Sequence, residues 1–228
     1  MSVTLLMPTL NEADGMRWVI PRIRKEWVDQ ILVVDAGSTD GTVALAESAG
    51  YEVVHQKSRG IAAAYGEALA AARGDIILVF TPDGNSVPER IPALAAKMRE
   101  GYDMVIVSRY REGARSADDD AITAFGNWMF TRLINLFFGG RYTDSLVAFR
   151  AWKRDVYGLT IRWPGRDDFE PRSAIRCAKL KLRVGEIPGD EPKRIGGCRK
   201  MRPFAFGWKI LRIIVEEILH RDPPVRNP

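Results

Sequence analysis

The sequence contains few of the residues that build metal centres and disulfide frameworks. Its 228 residues include two cysteines, Cys177 and Cys198, and two histidines, His55 and His220. Two cysteines outside a C-x-x-C pair cannot form a disulfide scaffold, and two histidines are too few for a His-based zinc site. These low counts predict a protein of a reducing compartment.

Long apolar runs and the common phosphate-loop motifs are also missing. No uninterrupted apolar stretch approaches the roughly 20 residues that span a bilayer, and residues 1–10 lack the basic start of a signal peptide. Neither the G-x-G-x-x-G dinucleotide motif nor the G-x-x-x-x-G-K-[ST] loop occurs. We therefore expect a cytoplasmic protein that does not cross the membrane and that uses neither of these two nucleotide-binding loops.

The charge is distributed unevenly along the chain. A composition of 46% apolar and 28% charged residues is typical of a soluble globular protein, and the length suits one domain with a full core. Residues 1–150 carry 16 basic and 19 acidic side chains, a net −3, whereas residues 151–228 carry 18 and 10, a net +8. The basic C-terminal third predicts an anionic partner, such as phosphate groups, an acidic membrane surface or nucleic acid.

The first half alternates between short β-branched runs and helical patterns. Five runs predict buried strands: Val3–Met7, Ile31–Val34, Glu52–Val54, Ile76–Phe80 and Met104–Val107. The segments between them predict helices: Gly15–Trp27 with an interruption at Pro21, Thr42–Ala49, Ile61–Ala72 and Ile91–Glu100. This alternation with short connections predicts an α/β fold with a mainly parallel central sheet and helices on both faces.

The second half follows a less regular order. A charged loop over residues 111–120 precedes a helix crowded with aromatic side chains, Ile122–Phe138. The remaining predicted elements are a strand at Leu146–Ala151, a helix at Asp168–Leu180, a strand at Lys181–Glu186, a basic loop at Asp190–Arg202 and an amphipathic helix at Phe204–Leu219. No internal repeat and no linker interrupts the chain, so we expect a single domain.

Polar residues follow the predicted strands at their carboxyl ends, where the loops of an open α/β sheet converge on ligands. These loops are Pro8–Glu12, Asp35–Gly41, Thr81–Asn85 and Ser108–Tyr110. Arg59 precedes the third predicted helix, whose N-terminus favours anions, and is assigned to the same site. Carboxylates and cations are therefore predicted to meet at one edge of the sheet.

Three acidic residues in these loops have both a structural and a functional interpretation. Asp40 is expected to cap a helix, and Asp35 and Asp83 each suit the turn that contains them. In the functional interpretation, Asp35 accepts N–H groups of a base and Asp83 holds a divalent metal beside a diphosphate. The joint placement at strand ends favours the functional interpretation for Asp35 and Asp83.

Two runs, Met7–Glu12 and Val33–Thr42, resemble the opening of glycosyltransferase family 2, inverting enzymes with the Rossmann-like GT-A nucleotide-sugar fold. Three later runs resemble motifs of its polyprenyl-phosphate sugar synthases, of the dolichol-phosphate mannose synthase type: Ser108–Tyr110, Thr143–Arg150 and Arg194–Lys200. The resemblance implies one catalytic domain over residues 1–228, with a nucleotide-sugar-binding half over 1–110 and an acceptor half over 111–228.

The resemblance also implies roles for individual residues. The nucleoside pocket would be lined by Pro8, Leu10, Glu12 and Asp35. Asp83 would contact the nucleotide sugar as well, because it falls with Asn85 at the family's metal motif, usually Asp-x-Asp.

Two acids of the family pattern are replaced, by Thr81 in the metal motif and by Ala36 after Asp35. The site is therefore expected to bind Mg²⁺ or Mn²⁺ more weakly, or to share the metal more with the diphosphate.

Cations of the second half are expected to hold phosphate groups. Inverting transfer is an in-line displacement at the anomeric carbon, and it needs a stabilised leaving group. Arg194, Arg199 and Lys200 lie on a loop expected to fold over the diphosphate, and Arg109 suits a phosphate acceptor. The structural interpretation of the three loop residues is a solvated basic loop.

The nature of the acceptor divides the functional hypothesis. A lipid phosphate is already anionic and needs no general base, whereas a sugar hydroxyl needs a carboxylate to take its proton. The acidic run 118–120 stands where polyprenyl-phosphate enzymes usually carry Arg and Lys. Residues 165–170 resemble the Glu-Asp motif of hydroxyl-acceptor members, so Asp168, with Asp167 beside it, is the candidate base, and a helix cap is its structural interpretation.

The leading hypothesis is an inverting glycosyltransferase that moves a hexose from a nucleotide-diphosphate sugar to a polyprenyl-phosphate or lipid-linked acceptor. The resemblance favours GDP-mannose as donor. Transfer to a sugar hydroxyl with Asp168 as base is the alternative, and the replaced acids motivate a second one, a non-catalytic nucleotide-sugar-binding or scaffold protein.

The aromatic helix, the last helix and the basic tail predict peripheral contact with the cytoplasmic face of a membrane. Nucleic-acid binding is not expected, because no recognised motif is present.

Overall fold

The computed structural model describes residues 1–160, 169–195 and 202–220. The strands are β1 (Val3–Thr9), β2 (Gln30–Asp35), β3 (Glu52–His55), β4 (Ile76–Val79), β5 (Met104–Ser108), β6 (Arg150–Lys153) and β7 (Val184–Pro188). The helices are α1 (Ala13–Val19), α2 (Thr42–Ser48), α3 (Ile61–Ala71), α4 (Ile91–Arg99), α5 (Ala121–Phe138), α6 (Arg154–Thr160), α7 (Phe169–Lys179) and α8 (Pro203–Leu219). Short 3-10 turns occupy Ile20–Arg22, Lys25–Trp27 and Pro88–Arg90.

These strands form one sheet in the order β3-β2-β1-β4-β6-β5-β7. Strand β6 runs antiparallel to its neighbours β4 and β5, and the other neighbouring strands are parallel. The register places Thr9 of β1 beside Asp35 of β2, so these two strands end at the same level. The predicted α/β fold with a mainly parallel sheet is confirmed.

Helices cover both faces of the sheet, as predicted. Helices α3, α5, α6, α7 and α8 pack on one face, over side chains such as Val34 and Ile77. Helices α1, α2 and α4 pack on the other, over side chains such as Leu5 and Leu78. Successive side chains of a strand point to opposite faces, so a strand covered on both faces must be apolar throughout. This explains the continuous apolar runs of the first half.

Two predicted elements of the first 160 residues have different bounds. The predicted helix Gly15–Trp27 ends as α1 at Val19, because Pro21 lacks the N–H that an α-helix would use, and the chain continues in two 3-10 turns. The predicted strand Leu146–Ala151 is wrong over its first four residues, 146–149. The Arg150 side chain donates hydrogen bonds to the carbonyl oxygens of Ser145 and Val147, which holds these residues in a loop, and β6 begins only at Arg150.

Two further differences lie near α6 and α7. Helix α6 was not predicted, since its seven residues carry no clear apolar period. The strand predicted at Lys181–Glu186 begins at Val184, because Lys181 has a φ of 52° and the Lys181 N–H still bonds to the Ala178 carbonyl oxygen at the end of α7.

Within the described ranges, no helix combines the length and the apolar content needed to cross a membrane.

Candidate functional site

A cavity of about 760 Å³ lies at the carboxyl ends of the parallel strands. Its polar end is formed by the loops after β1 and β4, which contribute Glu12, Asp83 and Asn85. Its apolar end lies between α5 and α8, which contribute Phe125 and Trp208. A single space therefore connects a charged region with an apolar one.

Asp35 ends β2 and organises the loop that follows. Its carboxylate accepts hydrogen bonds from Thr9 Oγ1 at 2.9 Å, from the backbone N–H groups of Gly37 at 2.9 Å and Ser38 at 2.8 Å, and from the Ser38 hydroxyl. Burial raises the pKa of Asp35, but these hydrogen bonds outweigh burial and hold the pKa below its usual value. The roughly four acceptor positions of a carboxylate are thus used within the protein, and Asp35 fixes the loop beside the predicted nucleoside pocket.

Asp40 joins the starts of α1 and α2. Its carboxylate accepts the N–H groups of Ala13 at 2.9 Å and Thr42 at 3.0 Å. Burial raises the pKa of Asp40, and the hydrogen bonds from Thr42 and Ala13 lower it by more. Asp40 therefore satisfies the first N–H of α2, although Gly41 is the residue that flanks the helix.

The other residues assigned to the nucleotide are spread along this edge of the sheet. Pro8 and Glu12 line the cavity. Leu10 and Arg59 are exposed, and neither belongs to the cavity wall formed by the described residues. The structure thus brings two of these four residues to the cavity.

The turn after β4 carries the predicted metal ligands, Asp83 and Asn85. Gly15 of α1 packs against this turn so closely that a Cβ would lie 2.0 Å from the Pro82 carbonyl oxygen. The Asn85 N–H donates to Asp83 Oδ1 at 3.0 Å, and the Asn85 side-chain amide donates to Asp118 Oδ2 at 2.9 Å. Close packing and hydrogen bonds therefore fix both candidate ligands.

Arg194 places a guanidinium on Asp83. Its Nη2 atom lies 2.8 Å from Asp83 Oδ2, and its Nη1 atom lies 3.9 Å from Glu12 Oε1. Burial raises the pKa of Asp83 above its ordinary value, and Arg194 offsets part of this rise. One predicted phosphate-binding residue therefore contacts a predicted metal ligand.

Asp83 and Asn85 offer ligands for a divalent cation that is shared with a diphosphate. Asn85 Oδ1 is buried and has no hydrogen-bond partner among the described residues. Mg²⁺ usually takes one or two protein oxygens and completes its coordination with phosphate and water. The described ranges contain no group of three or more His, Cys, Asp or Glu that could hold a metal without a substrate. The two residues fit a metal that arrives with phosphate oxygens.

Arg109 lines the cavity, but carboxylates already more than offset its positive charge. Its guanidinium lies 2.6 Å from Asp144 Oδ2, 3.2 Å from Glu191 Oε2 and 3.7 Å from Asp119 Oδ2. Burial raises the pKa of Asp144, and the ion pair with Arg109 lowers it by more. Three carboxylates around one guanidinium leave this cluster with an excess of negative charge.

Helix α5 brings two buried polar groups to the cavity that sequence reasoning missed. Thr123 Oγ1 and Asn127 Nδ2 are buried and have no hydrogen-bond partner among the described residues. They lie four residues apart on one helix face and line the cavity, where Asn127 Oδ1 accepts from Arg109 Nη2 at 3.3 Å. Such atoms are rare in native proteins, so these two mark a place for ligand oxygens. The sequence signal that could have revealed them is a pair of polar residues four positions apart in an otherwise aromatic helix.

Four predicted site residues lie outside the described residues: Asp167, Asp168, Arg199 and Lys200. At the start of α7, Glu170 lines the cavity and accepts a hydrogen bond from the Tyr65 hydroxyl at 3.2 Å. The last residue of the predicted Glu-Asp-like run 165–170, which was not selected as a base, therefore places a carboxylate at the cavity.

Helices α5 and α8 expose an apolar surface beside the cavity. The α5–α8 apolar face consists of side chains that are 53–78% exposed: Ile122, Phe125, Trp128, Leu136 and Phe137 of α5, and Phe204, Trp208, Val215 and Leu219 of α8. Large contiguous apolar patches on a protein surface mark contact with a partner, a membrane or a ligand. The apolar end of the cavity opens within this face.

The fold and the site define an α/β protein with a cavity at the carboxyl ends of its strands, the place where open α/β sheets usually bind ligands. Residues 4–158 match the sequence family described as glycosyl transferase family 2. This match covers more than half of the chain, and the chain belongs to that family. The resemblance found in the sequence is thereby confirmed.

Curated relatives agree with this assignment, and a solved structure agrees with the fold. The chain is similar to glycosyltransferase AglJ of Haloferax volcanii, 32% identical over 230 residues that cover 100% of this chain and 74% of that protein. It is also similar to the dolichyl-phosphate hexose transferase of that organism, 26% identical over 219 residues that cover 95% and 94%. Glucosyl-3-phosphoglycerate synthase from Mycobacterium tuberculosis, solved with Mg²⁺ and UDP, has a TM-score of 0.72 at 20% identity, covering 97% of this chain and 80% of that one. The last similarity supports the GT-A fold.

Proposed function

We propose that this protein transfers a hexose from a nucleoside-diphosphate sugar to a polyprenyl-phosphate or other lipid-linked acceptor at a membrane surface. The observation that carries the proposal is the continuous cavity, which offers Asp83 and Asn85 at one end and apolar helices at the other. A nucleotide sugar needs the first end, and an acceptor with a long hydrocarbon chain needs the second. The name of the related dolichyl-phosphate hexose transferase supports the same acceptor class.

The donor is proposed to bind along the loops after β1, β2 and β4. Pro8 and Glu12 line this part of the cavity, and Asp35 holds the neighbouring loop. Asp83 and Asn85 would hold Mg²⁺ or Mn²⁺ together with the diphosphate. When bound, the metal supplies positive charge that stabilises the leaving group.

Two observations point to different nucleobases in the donor. The sequence resemblance favours GDP-mannose, whereas the solved glucosyl-3-phosphoglycerate synthase contains UDP. Both bases are therefore offered in the experiment below.

We infer an inverting, single displacement. The acceptor oxygen attacks the anomeric carbon from the face opposite the diphosphate, and the bond from that carbon to the diphosphate oxygen breaks with its electron pair on the leaving group. Arg194 lies at the polar end of the cavity, where it can stabilise the charge that develops there. A phosphate acceptor is anionic at neutral pH and needs no general base.

The acceptor is proposed to bind along α5. Its head group would lie beside Thr123 and Asn127, whose buried polar atoms have no other hydrogen-bond partner among the described residues. Its hydrocarbon chain would lie between α5 and α8, against Phe125 and Trp208. This placement directs the reactive oxygen towards the polar end of the same cavity.

The α5–α8 apolar face is proposed to contact the membrane that holds the acceptor. Trp208 is 75% exposed and Phe204 is 78% exposed, so both rings can enter the interfacial region without unfolding of α8. Arg212 of the same helix is 62% exposed and pairs with Glu216 at 3.4 Å, so the proposed contact rests on the exposed apolar side chains.

A sugar hydroxyl of a lipid-linked saccharide is the second candidate acceptor. The specific observation in its favour is the acidic wall of the cavity, which includes Asp118, Glu170 and Glu191. Burial raises the pKa of Glu191, and a carboxylate with a raised pKa is better suited to take a proton from a hydroxyl. The excess negative charge around Arg109 also disfavours the binding of a phosphate head group beside it.

A transfer assay with purified protein tests the proposal. GDP-mannose, UDP-glucose and UDP-N-acetylglucosamine, each with a labelled sugar, are offered with polyprenyl phosphate or with a lipid-linked monosaccharide, in Mn²⁺ or in EDTA. We expect labelled polyprenyl-phosphate sugar in the organic phase and none in EDTA. Asp83→Ala should lower the rate by about 100-fold or more, a loss typical of groups that stabilise transition-state charge.

Asp75→Ala provides the matched control, because exposed Asp75 precedes β4 and lies at the opposite end of that strand. Full activity of Asp83→Ala would refute the metal assignment. Transfer to the lipid-linked monosaccharide alone would select the second candidate. Tight nucleotide binding without transfer from any donor would refute the proposed activity in favour of a non-catalytic protein.

A further inference from the structure

Arg194 and Asp83 form an ion pair inside the proposed donor site. The Nη2–Oδ2 distance is 2.8 Å, and the side chains are 24% and 10% exposed. A second carboxylate, that of Glu12, lies 3.9 Å from Arg194 Nη1. A guanidinium therefore already supplies positive charge at the carboxylate that is assigned to the metal.

The backbone holds Arg194 in this position. The N–H of Ile195 donates to the Asp83 carbonyl oxygen at 2.9 Å. The Ile195 side chain covers Gly84, where a Cβ would lie 2.7 Å from Ile195 Cγ1, and the φ of 85° at Gly84 also favours glycine. The ion pair is thus part of a packed and hydrogen-bonded contact between the turn after β4 and the segment after β7.

Two buried polar atoms remain unpaired at this contact. Arg194 Nε, a donor, and Asn85 Oδ1, an acceptor, have no hydrogen-bond partner among the described residues. An anionic oxygen would satisfy the donor, and a cation would satisfy the acceptor. A divalent metal combined with a diphosphate supplies both at once, whereas a metal alone supplies only the second.

We propose that the guanidinium of Arg194 prevents a free divalent metal from binding to Asp83. The metal then binds only together with the nucleoside diphosphate. A metal on Asp83 Oδ2 and a guanidinium within 2.8 Å of that oxygen repel each other. The diphosphate offsets this repulsion with its negative charge and accepts a charge-assisted hydrogen bond from Arg194. The inference rests on the proposed donor site and concerns the order of binding.

Mn²⁺ titration of the full chain, followed by the electron paramagnetic resonance signal of free Mn²⁺, tests the proposal. Each protein is titrated with Mn²⁺ alone and with saturating GDP or UDP. The variants are Arg194→Gln, Arg194→Lys and Lys193→Gln. The last is the matched control, because it removes the same charge from the neighbouring exposed residue.

Wild-type protein is expected to bind Mn²⁺ tightly only with a nucleotide. Arg194→Gln should bind Mn²⁺ alone about tenfold more tightly than wild type, within the roughly 5–150-fold range of couplings between sites. Arg194→Lys keeps the charge and should behave like wild type, as should Lys193→Gln.

Equal nucleotide-free Mn²⁺ affinity in wild type and Arg194→Gln would overturn the proposal, and so would the same gain in Lys193→Gln. Tight binding of Mn²⁺ alone by wild type would overturn it without any variant, whether or not Arg194→Gln folds. These readouts need no sugar transfer. A protein that transfers no sugar but shows the expected pattern would refute the proposed activity and leave the role of Arg194 standing.

Discussion

Glu217 of α8 is a buried carboxylate held between cations of α7, and its neutralisation is expected to destabilise the protein. Its side chain is 0% exposed. Oε1 lies 2.6 Å from Arg172 Nη1 and 3.4 Å from Arg176 Nη2, and Oε2 lies 3.2 Å from Lys179 Nζ. The substitution Glu217→Gln keeps the shape of the side chain and removes the charge that these three cations share.

The size of the effect follows from the burial of this cluster. Removal of one partner from a buried ion pair costs about 3–5 kcal/mol. Glu216 Oε2 stays 2.9 Å from Arg172 Nη2 in the variant, so we expect the lower end, a loss of about 3 kcal/mol in the free energy of unfolding. In a chain of this length each kcal/mol lowers Tm by about 2–4 °C, which predicts a fall of about 6–12 °C.

Urea and thermal unfolding followed by far-UV circular dichroism measure this loss. Glu216→Gln is the matched control, because Glu216 is 32% exposed and Arg172 keeps its closer contact with Glu217, so this substitution should cost less than Glu217→Gln. A loss below about 1 kcal/mol in Glu217→Gln, or equal losses in both variants, would refute the reasoning that this charge cluster holds α8 on α7.

Two further predictions concern the edge of the sheet and the apolar face. The folded-state pKa of Asp35 lies below its ordinary value of 3.8, so the stability that Asp35 contributes is complete above the unfolded-state pKa and is lost as pH falls through the folded-state pKa. The difference in unfolding free energy between wild type and Asp35→Asn, measured in urea from neutral pH downwards, should therefore shrink below about pH 4, and a constant difference would contradict the assigned hydrogen bonds. Trp208→Ser should weaken co-sedimentation with anionic lipid vesicles about tenfold, because it removes a large exposed ring from the face that meets the lipid. Leu159→Ser, an exposed position on α6, is its control, and equal binding by both variants would argue against membrane contact through this face.

The parallel sheet could be predicted because its strands are visible locally. Ile76–Val79 is buried along its whole length, so the strand appears in the sequence as a continuous apolar run. The antiparallel strand β6 could not be placed in the same way. It begins at Arg150, a fully buried guanidinium that donates to the carbonyl oxygen of Ser145 and to the Ser173 hydroxyl. A sequence pattern treats arginine as a surface residue, and only the hydrogen bonds to these oxygens, which the folded chain brings together, make its burial possible.

The loops that carry the candidate site could be predicted from the sequence, but not all of the residues that line it. Asp83 and Asn85 line the cavity as expected from their position after a strand, and Pro8 and Glu12 do so after the first strand. Thr123 and Asn127 were not selected, because α5 reads as an aromatic helix and nothing local shows which of its faces meets the cavity. Arg109 was selected for its charge, but the three carboxylates around it come from other parts of the chain.

By itself, the sequence determined the fold class, the family and the loops that carry the site, since apolar periodicity and short motifs are local properties of a chain. Only the tertiary structure decided which charges meet: Arg194 lies on Asp83, Glu217 lies among the cations of α7, and two polar groups of α5 share the cavity of the donor loops. The physical reason is that the strength of an electrostatic interaction depends on distance and burial in space. Separation along the sequence fixes neither, and both arise when the helices pack on the sheet.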